Sequence, residues 1–223
     1  MCGRYVSPSA AALEREFRTI PRDWHFGSSY NVAPTQRVPA IRRAEHGDEG
    51  VLLRWGLVPF FAHGKAGPYS TINARVETIA TSASYRTPWK RGQRCLLPAL
   101  GFYEWHQRED GTRQPYYIHL NDRELFAFAG LWDRSVAEDG SAVESCTIIT
   151  LPANALMASV HNGRARMPAI LPAASHAAWL AGDRETAFSL VSAYPEERMV
   201  AYPVSTRVNT PRNNDADLIQ PIP

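Results

Sequence analysis

The sequence is poor in several features that mark common function classes. Its three cysteines, Cys2, Cys95 and Cys146, are an odd set without CxxC or His-pair spacing, which argues against a disulfide framework and a zinc site. No apolar run approaches the roughly 20 residues of a membrane helix, and no basic-then-apolar leader opens the chain. The expectation is a soluble, cytoplasmic protein with no membrane or metal partner. No GxGxxG, Walker loop, HExxH or GxSxG occurs, so no cofactor is expected. There is no internal repeat or low-complexity stretch. The net charge is only +2, too small by itself to announce a nucleic-acid binder. Lysine is almost missing: Lys65 and Lys90 stand against 22 arginines. A guanidinium forks onto phosphate oxygens as an ammonium cannot, although genomic base composition explains the same ratio.

What is present is a chain of 223 residues, 44% hydrophobic and 21% charged, enough for one sizeable core. We read residues 1–223 as a single domain, a monomer by default, with a short polar C-terminal tail from about Ser205. Ser7-Pro8-Ser9 caps a first helix over Ala10 to Phe17, which would place Cys2 just ahead of a helix. Val51 to Val58 reads as a strand after a polar turn from Glu45 to Gly50. Leu96 to His106, Pro115 to Leu120, Leu125 to Trp132 and Cys146 to Leu151 form a meander broken by Asp110-Gly111, Asn121-Asp122 and the polar run Asp133 to Ser145. Asn154 caps a helix through Val160, Ser175 one over Ala177 to Ala181, and a short helix follows from Glu185 to Ala193. With strands in the middle, helices at the flanks and no βαβ rhythm, the class is α+β around a mainly antiparallel sheet.

Cys2 directly follows the initiator methionine. Removal of Met1 would leave a 1,2-aminothiol, whose amine condenses with an aldehyde and whose thiol then closes on the imine carbon to give a thiazolidine. A free α-amine titrates at about 7.7–8.0 and a free thiol at about 8.5, so both are usefully nucleophilic near neutrality. A buried, inert cysteine is the alternative.

Other polar residues interrupt apolar runs. Glu104 lies among aromatics in Gly101-Phe102-Tyr103-Glu104-Trp105, where desolvation raises a carboxyl's pKa toward acid–base use; an outward Glu on a half-buried strand fits the same pattern. Asn73 could orient a reactive group or simply make a turn. His161 is a candidate proton-transfer group or a satisfied structural histidine. The segment Tyr85 to Arg94 mixes four cations, Arg86 among them, with two aromatics, suiting phosphates and bases or a solvated loop.

Together these blocks resemble the SRAP (SOS response-associated peptidase) domain family. The resemblance is carried by Met1-Cys2-Gly3-Arg4-Tyr5, Tyr30-Asn31-Val32-Ala33-Pro34-Thr35, Arg54-Trp55-Gly56-Leu57-Val58-Pro59, Ile72-Asn73-Ala74-Arg75-Val76-Glu77-Thr78, Arg94-Cys95-Leu96-Leu97-Pro98-Ala99, Gly101 to Trp105, Arg166-Met167-Pro168-Ala169-Ile170-Leu171 and Pro203 to Asn209. It implies a barrel-like fold and a DNA-damage-response sensor of abasic sites in single-stranded DNA, crosslinked through the processed Cys2. It implies Cys2 as nucleophile, Asn73 as its positioner, Glu104 and His161 as proton-transfer groups, and Arg4 and Arg75 on phosphates; Arg86, Arg164 and Arg166 are further candidate DNA contacts. Trp55 and Trp105 pack against bases or fill the site. A side path of β-elimination is expected to give AP lyase activity, and Met1 would leave by self-cleavage or an aminopeptidase. One departure is the spacing: Asn162-Gly163-Arg164-Ala165 separates His161 from Arg166, where the family places its His two or three residues before the Arg. The rival readings are an N-terminal-nucleophile cysteine amidohydrolase or peptidase and a noncovalent single-strand-binding module.

Overall fold

Strand β1 (Arg4–Ser7) leads through the Ser9 cap, whose hydroxyl accepts from the Ala12 N–H at 3.3 Å, into helix α1 (Ala10–Glu16). Cys2 therefore precedes a strand, and the expectation that it sits directly ahead of a helix is corrected by one intervening element. In this computed structural model residues 2–17, 24, 26–67 and 70–222 are described. Strands β2 (Ser29–Val32), β3 (Arg37–Ala44), β4 (Gly47–Trp55) and β5 (Asn73–Arg75) follow, then helix α2 (Arg86–Lys90). The turn expected over Glu45–Gly50 is tighter, because β4 already begins at Gly47 and pairs with Ala44.

The central run continues with β6 (Arg94–Ala99), β7 (Gly101–Gln107), β8 (Arg113–Leu120), β9 (Phe126–Val136) and β10 (Ala142–Pro152). Helix α3 (Ala155–Val160) starts at Asn154, whose side chain accepts from the Met157 N–H at 2.8 Å. Strands β11 (Arg166–Pro168) and β12 (Ile170–Leu171), helices α4 (His176–Ala181) and α5 (Arg184–Ser189) and strand β13 (Met199–Pro203) complete the fold. Ser175 makes no side-chain cap, and α5 stops at Ser189, short of the expected Ala193.

Two sheets build the molecule. In one, β4, β3, β6, β9 and β10 pair in series, and a parallel contact of Ser145 with Arg54 and Cys146 with Trp55 closes them into a five-stranded barrel. Closure removes the exposed edges that an open sheet would present. The other sheet runs β13-β8-β7-β1-β2 and is antiparallel throughout. The sheets meet at Tyr5, whose ring makes edge contacts with Trp55 at 5.3 Å and Phe128 at 5.9 Å. Cys95 and Cys146 are fully buried in this core.

The single strand expected from Leu96 to His106 is two strands in different sheets. The chain turns at Leu100, whose N–H bonds to the Val6 carbonyl at 2.9 Å. Gly101 then passes under the Tyr117 ring, where a Cβ would fall 2.3 Å from ring atoms. That crossing carries Glu104 from the barrel into the second sheet. Beyond residue 205 the chain makes two short 3-10 turns, Thr206–Asn209 and Ala216–Ile219. Val208 and Leu218 are fully buried beneath them. Among the described residues no helix is long and apolar enough to cross a membrane.

Candidate active site

The site gathers where β1, β5, β7 and the end of α3 converge. Cys2 is fully buried, and its Sγ makes a weak contact of 3.8 Å with the Arg4 carbonyl. The Asn73 side-chain amide donates to the Cys2 carbonyl at 2.9 Å. Asn73 is placed by the parallel pairing of β5 with β10, Asn73 opposite Ile148, and by the Tyr85 hydroxyl, which donates to the Asn73 carbonyl at 3.0 Å. The Oδ1 of Asn73 is buried and, among the described residues, has no hydrogen-bond partner. Such an acceptor costs about 1–3 kcal/mol when left unmade, which marks it as a group kept for something else.

Glu104, on β7, is 2% exposed. Burial raises its carboxyl above the usual glutamate range, while the neighbouring His161 pulls it partly back. Its Oε1 lies 3.9 Å from Nδ1 of His161, beyond hydrogen-bonding distance but close enough for the two charges to couple. His161 terminates α3. Its Nδ1 lies 3.0 Å from the Arg166 carbonyl, an acceptor only, so Nδ1 is the donor in that bond. Burial above all pushes the Cys2 thiol well above its usual range, which favours its neutral form.

A cleft of about 330 Å³ opens over the pair, lined by Ile72, Glu104, Trp105, His161 and Arg164 together with Gln107, Arg113 and Gly163. Arg75 is exposed beside Asn73 on β5. Arg86 is exposed on α2 and does not line the cleft; the segment around it is a helix start where a loop was an option. Trp55 is fully buried, its indole donating to the Ile72 carbonyl at 3.0 Å, so of the two roles open to it the structure supports filling. Trp105 is half-buried at the cleft, its indole donating to Asn209 Oδ1 at 2.8 Å.

Two arginines turn inward. Arg4 donates to Asn31 Oδ1 at 3.1 Å and to the Val208 carbonyl at 2.8 Å, tying β1 to the C-terminal segment. Arg166 grips Glu77 bidentately at 2.7 and 2.9 Å and the Thr150 carbonyl at 2.7 Å. Arg164 is exposed on the loop between, so it is Arg164 that faces the cleft. Sequence reasoning missed Tyr85 as support for Asn73, Glu77 as partner of Arg166, and Arg113 at the cleft. Only Glu77 left a signal, a carboxylate two residues after Arg75 on a chain otherwise rich in arginine. Among the described residues no group of three or more His, Cys, Asp or Glu side chains could hold a metal ion.

A cysteine held by its backbone thus lies near a buried carboxyl, whose pKa burial raises, and an imidazole. The comparisons identify the family. The chain belongs to the SOS response associated peptidase (SRAP) family, whose model matches residues 1–211. It is 37% identical over 232 residues to the abasic site processing protein YoqW of Bacillus subtilis (strain 168), covering 99% of both chains. It is 33% identical to the abasic site processing protein HMCES of Xenopus tropicalis, over 87% of this chain and 66% of that one. Among solved structures, a Bacteroides thetaiotaomicron protein of 29% identity superposes with a TM-score of 0.87 over 99% of this chain and all of that one. The α+β, barrel-centred class expected from the sequence is thus the fold of structural neighbours as well.

Proposed function

We propose that this protein processes abasic sites, capturing the ring-opened sugar aldehyde in single-stranded DNA as a thiazolidine on Cys2 once Met1 has been removed. Met1 lies outside the described residues. The observation that carries the reading is the grouping of Cys2 and Asn73 with Glu104 and His161, the latter pair lining one cleft. The names of the relatives support the abasic substrate, and the arginines at the cleft suit its phosphates.

The chemistry balances with these residues alone. A proton moved by His161 opens the sugar hemiacetal to the aldehyde. The Cys2 amine adds to the carbonyl carbon, and protonated Glu104 gives its proton to the carbinolamine hydroxyl, which leaves as water. The Cys2 sulfur then bonds to the imine carbon while its proton passes to the nitrogen, so the net change is loss of one water. Asn73 holds the Cys2 carbonyl throughout, and its spare Oδ1 is an acceptor for the freed amine. If ring closure lags, the imine loses the 3′ phosphate by β-elimination, a weak lyase side path. The raised thiol suits this order, because a neutral thiol spares the aldehyde a competing attack until the imine forms.

The test is denaturing-gel crosslinking of Met1-processed protein to a single strand bearing one abasic site, beside Cys2→Ser and an undamaged strand. A heat-stable band that needs both Cys2 and the lesion is expected. No band from verified processed protein sinks the reading and leaves the cysteine amidohydrolase as the alternative to assay.

A further inference from the structure

The loop between His161 and Arg166 is fastened to β7 by a two-way pair. The Gln107 N–H donates to Asn162 Oδ1 at 2.9 Å, and the Asn162 side-chain amide donates back to the Gln107 carbonyl at 2.9 Å. One side chain thereby replaces the partner strand that Gln107 lacks on that side. A second tie joins β7 to the helix that leads into this loop, His106 Nδ1 to the Ser159 carbonyl of α3 at 2.9 Å. On its other side Gln107 pairs with Arg113, the first residue of β8. The hairpin tip between them is stiffened by Asp110 Oδ1, which accepts from the Thr112 N–H at 2.8 Å and hydroxyl at 2.6 Å.

The consequence is geometric. Gln107 is the point at which two exposed arginines are brought to one rim: Arg113 through the β7–β8 register and Arg164 through the loop that Asn162 pins. Both line the cleft over Glu104 and His161. Among the described residues neither guanidinium has a hydrogen-bond or ion-pair partner, whereas Arg4 and Arg166 have theirs inside the protein. Two open forks on separate, braced elements match the oxygens of a phosphodiester better than those of a neutral sugar.

We propose that Arg113 and Arg164 form a phosphate clamp at the mouth of the cleft, its jaw spacing set by the Asn162–Gln107 pair. The clamp rests on the DNA reading above. It would seat a backbone phosphate flanking the lesion and so bring the sugar over Glu104. Asn162 is a positioning residue here, acting through the loop and touching no substrate. The four residues between His161 and Arg166 then have a use: they carry one jaw.

The experiment measures noncovalent binding of a single strand containing a tetrahydrofuran abasic analogue, which has no aldehyde and cannot crosslink, across a salt series. Arg113→Gln is expected to weaken binding about tenfold and to flatten the slope of log K against log salt by about 0.7, one single-strand phosphate contact. Arg113→Lys should restore the slope but only part of the affinity, since the charge returns without the fork. Asn162→Ala should weaken affinity at low salt with little change in slope, because both charges remain but their spacing is lost. Thermal melting of each variant checks folding. Wild-type affinity and slope in Arg113→Gln overturn the clamp. Because this readout needs no crosslink, it separates from the proposed function: a wild type that binds the analogue but never crosslinks an abasic strand refutes the chemistry and leaves the clamp standing.

Discussion

Glu104 Oε1 and His161 Nδ1 stand 3.9 Å apart, with the same imidazole nitrogen committed to the Arg166 carbonyl at 3.0 Å. In the proposed chemistry the carboxyl, its pKa raised by burial, serves as the acid and the imidazole as the second proton carrier. Glu104→Gln keeps the shape and removes the acid, so crosslinking in the single-turnover assay is expected to fall about 10²–10³-fold, within the range for positioned acid–base groups. A rate within a factor of two or so of wild type would remove Glu104 from the mechanism.

The same substitution has an opposite effect on stability. Because burial raises Glu104 in the folded protein, the folded state binds that proton more tightly than the unfolded chain does. The stability this contributes is complete below the ordinary glutamate value and is lost as pH rises through the raised folded-state value. Glu104→Gln remains neutral at every pH. Its melting temperature at neutral pH should exceed that of wild type, by about 2–4 °C per kcal/mol recovered in a chain of this size. The gain should vanish near about pH 4, where the free carboxyl protonates. Melting curves across pH decide it: a variant less stable than wild type at neutral pH would mean that the fold relies on the ionised carboxylate.

Asn73 acts on Cys2 through a single hydrogen bond to the carbonyl. Asn73→Ala should slow crosslinking about tenfold, the loss of about 1.4 kcal/mol of orientation. Tyr85→Phe, which removes the hydroxyl behind Asn73, should slow it less. Rates measured at saturating DNA separate this from weakened binding. If Tyr85→Phe costs more than Asn73→Ala, the tyrosine has a role of its own.

How far the sequence foretold this site depends on what kind of information each residue needed. Local chemistry was readable in part: the Ser9 and Asn154 caps and the Asp110-Gly111 turn, with burial of Glu104 one of two readings its aromatic neighbours allowed. Long-range partners were not. Nothing around Ala99-Leu100-Gly101 marks a sheet change, because the turn is made by a bond to Val6, more than ninety residues earlier in the chain. The parallel seams of β10 with β4 and β5 likewise depend on residues far apart in sequence. Arg164 and Arg166 look equivalent in the string Arg164-Ala165-Arg166. Only the fold shows one on the rim and the other folded onto Glu77 and Thr150.

That difference between neighbours is testable with one pair of variants. Arg166 is buried, and removing it leaves the Thr150 carbonyl without its donor and Glu77 without its partner. Because Glu77 is 45% exposed, solvent screens much of that ion pair, and the larger part of the loss comes from the buried bond to Thr150. Arg166→Ala should therefore destabilise the fold by about 1–3 kcal/mol, and Glu77→Ala by about 1 kcal/mol or less. Arg164→Ala, with its side chain in solvent, should leave the denaturation midpoint within about 0.5 kcal/mol of wild type and instead weaken DNA binding with a shallower salt slope. Chemical denaturation and salt-dependent binding of the same two proteins read both axes. If Arg166→Ala melted normally and lost DNA affinity, the assignment would be reversed: Arg166 would leave Glu77 to meet phosphate, and the ion pair seen here would be the resting state of a DNA contact.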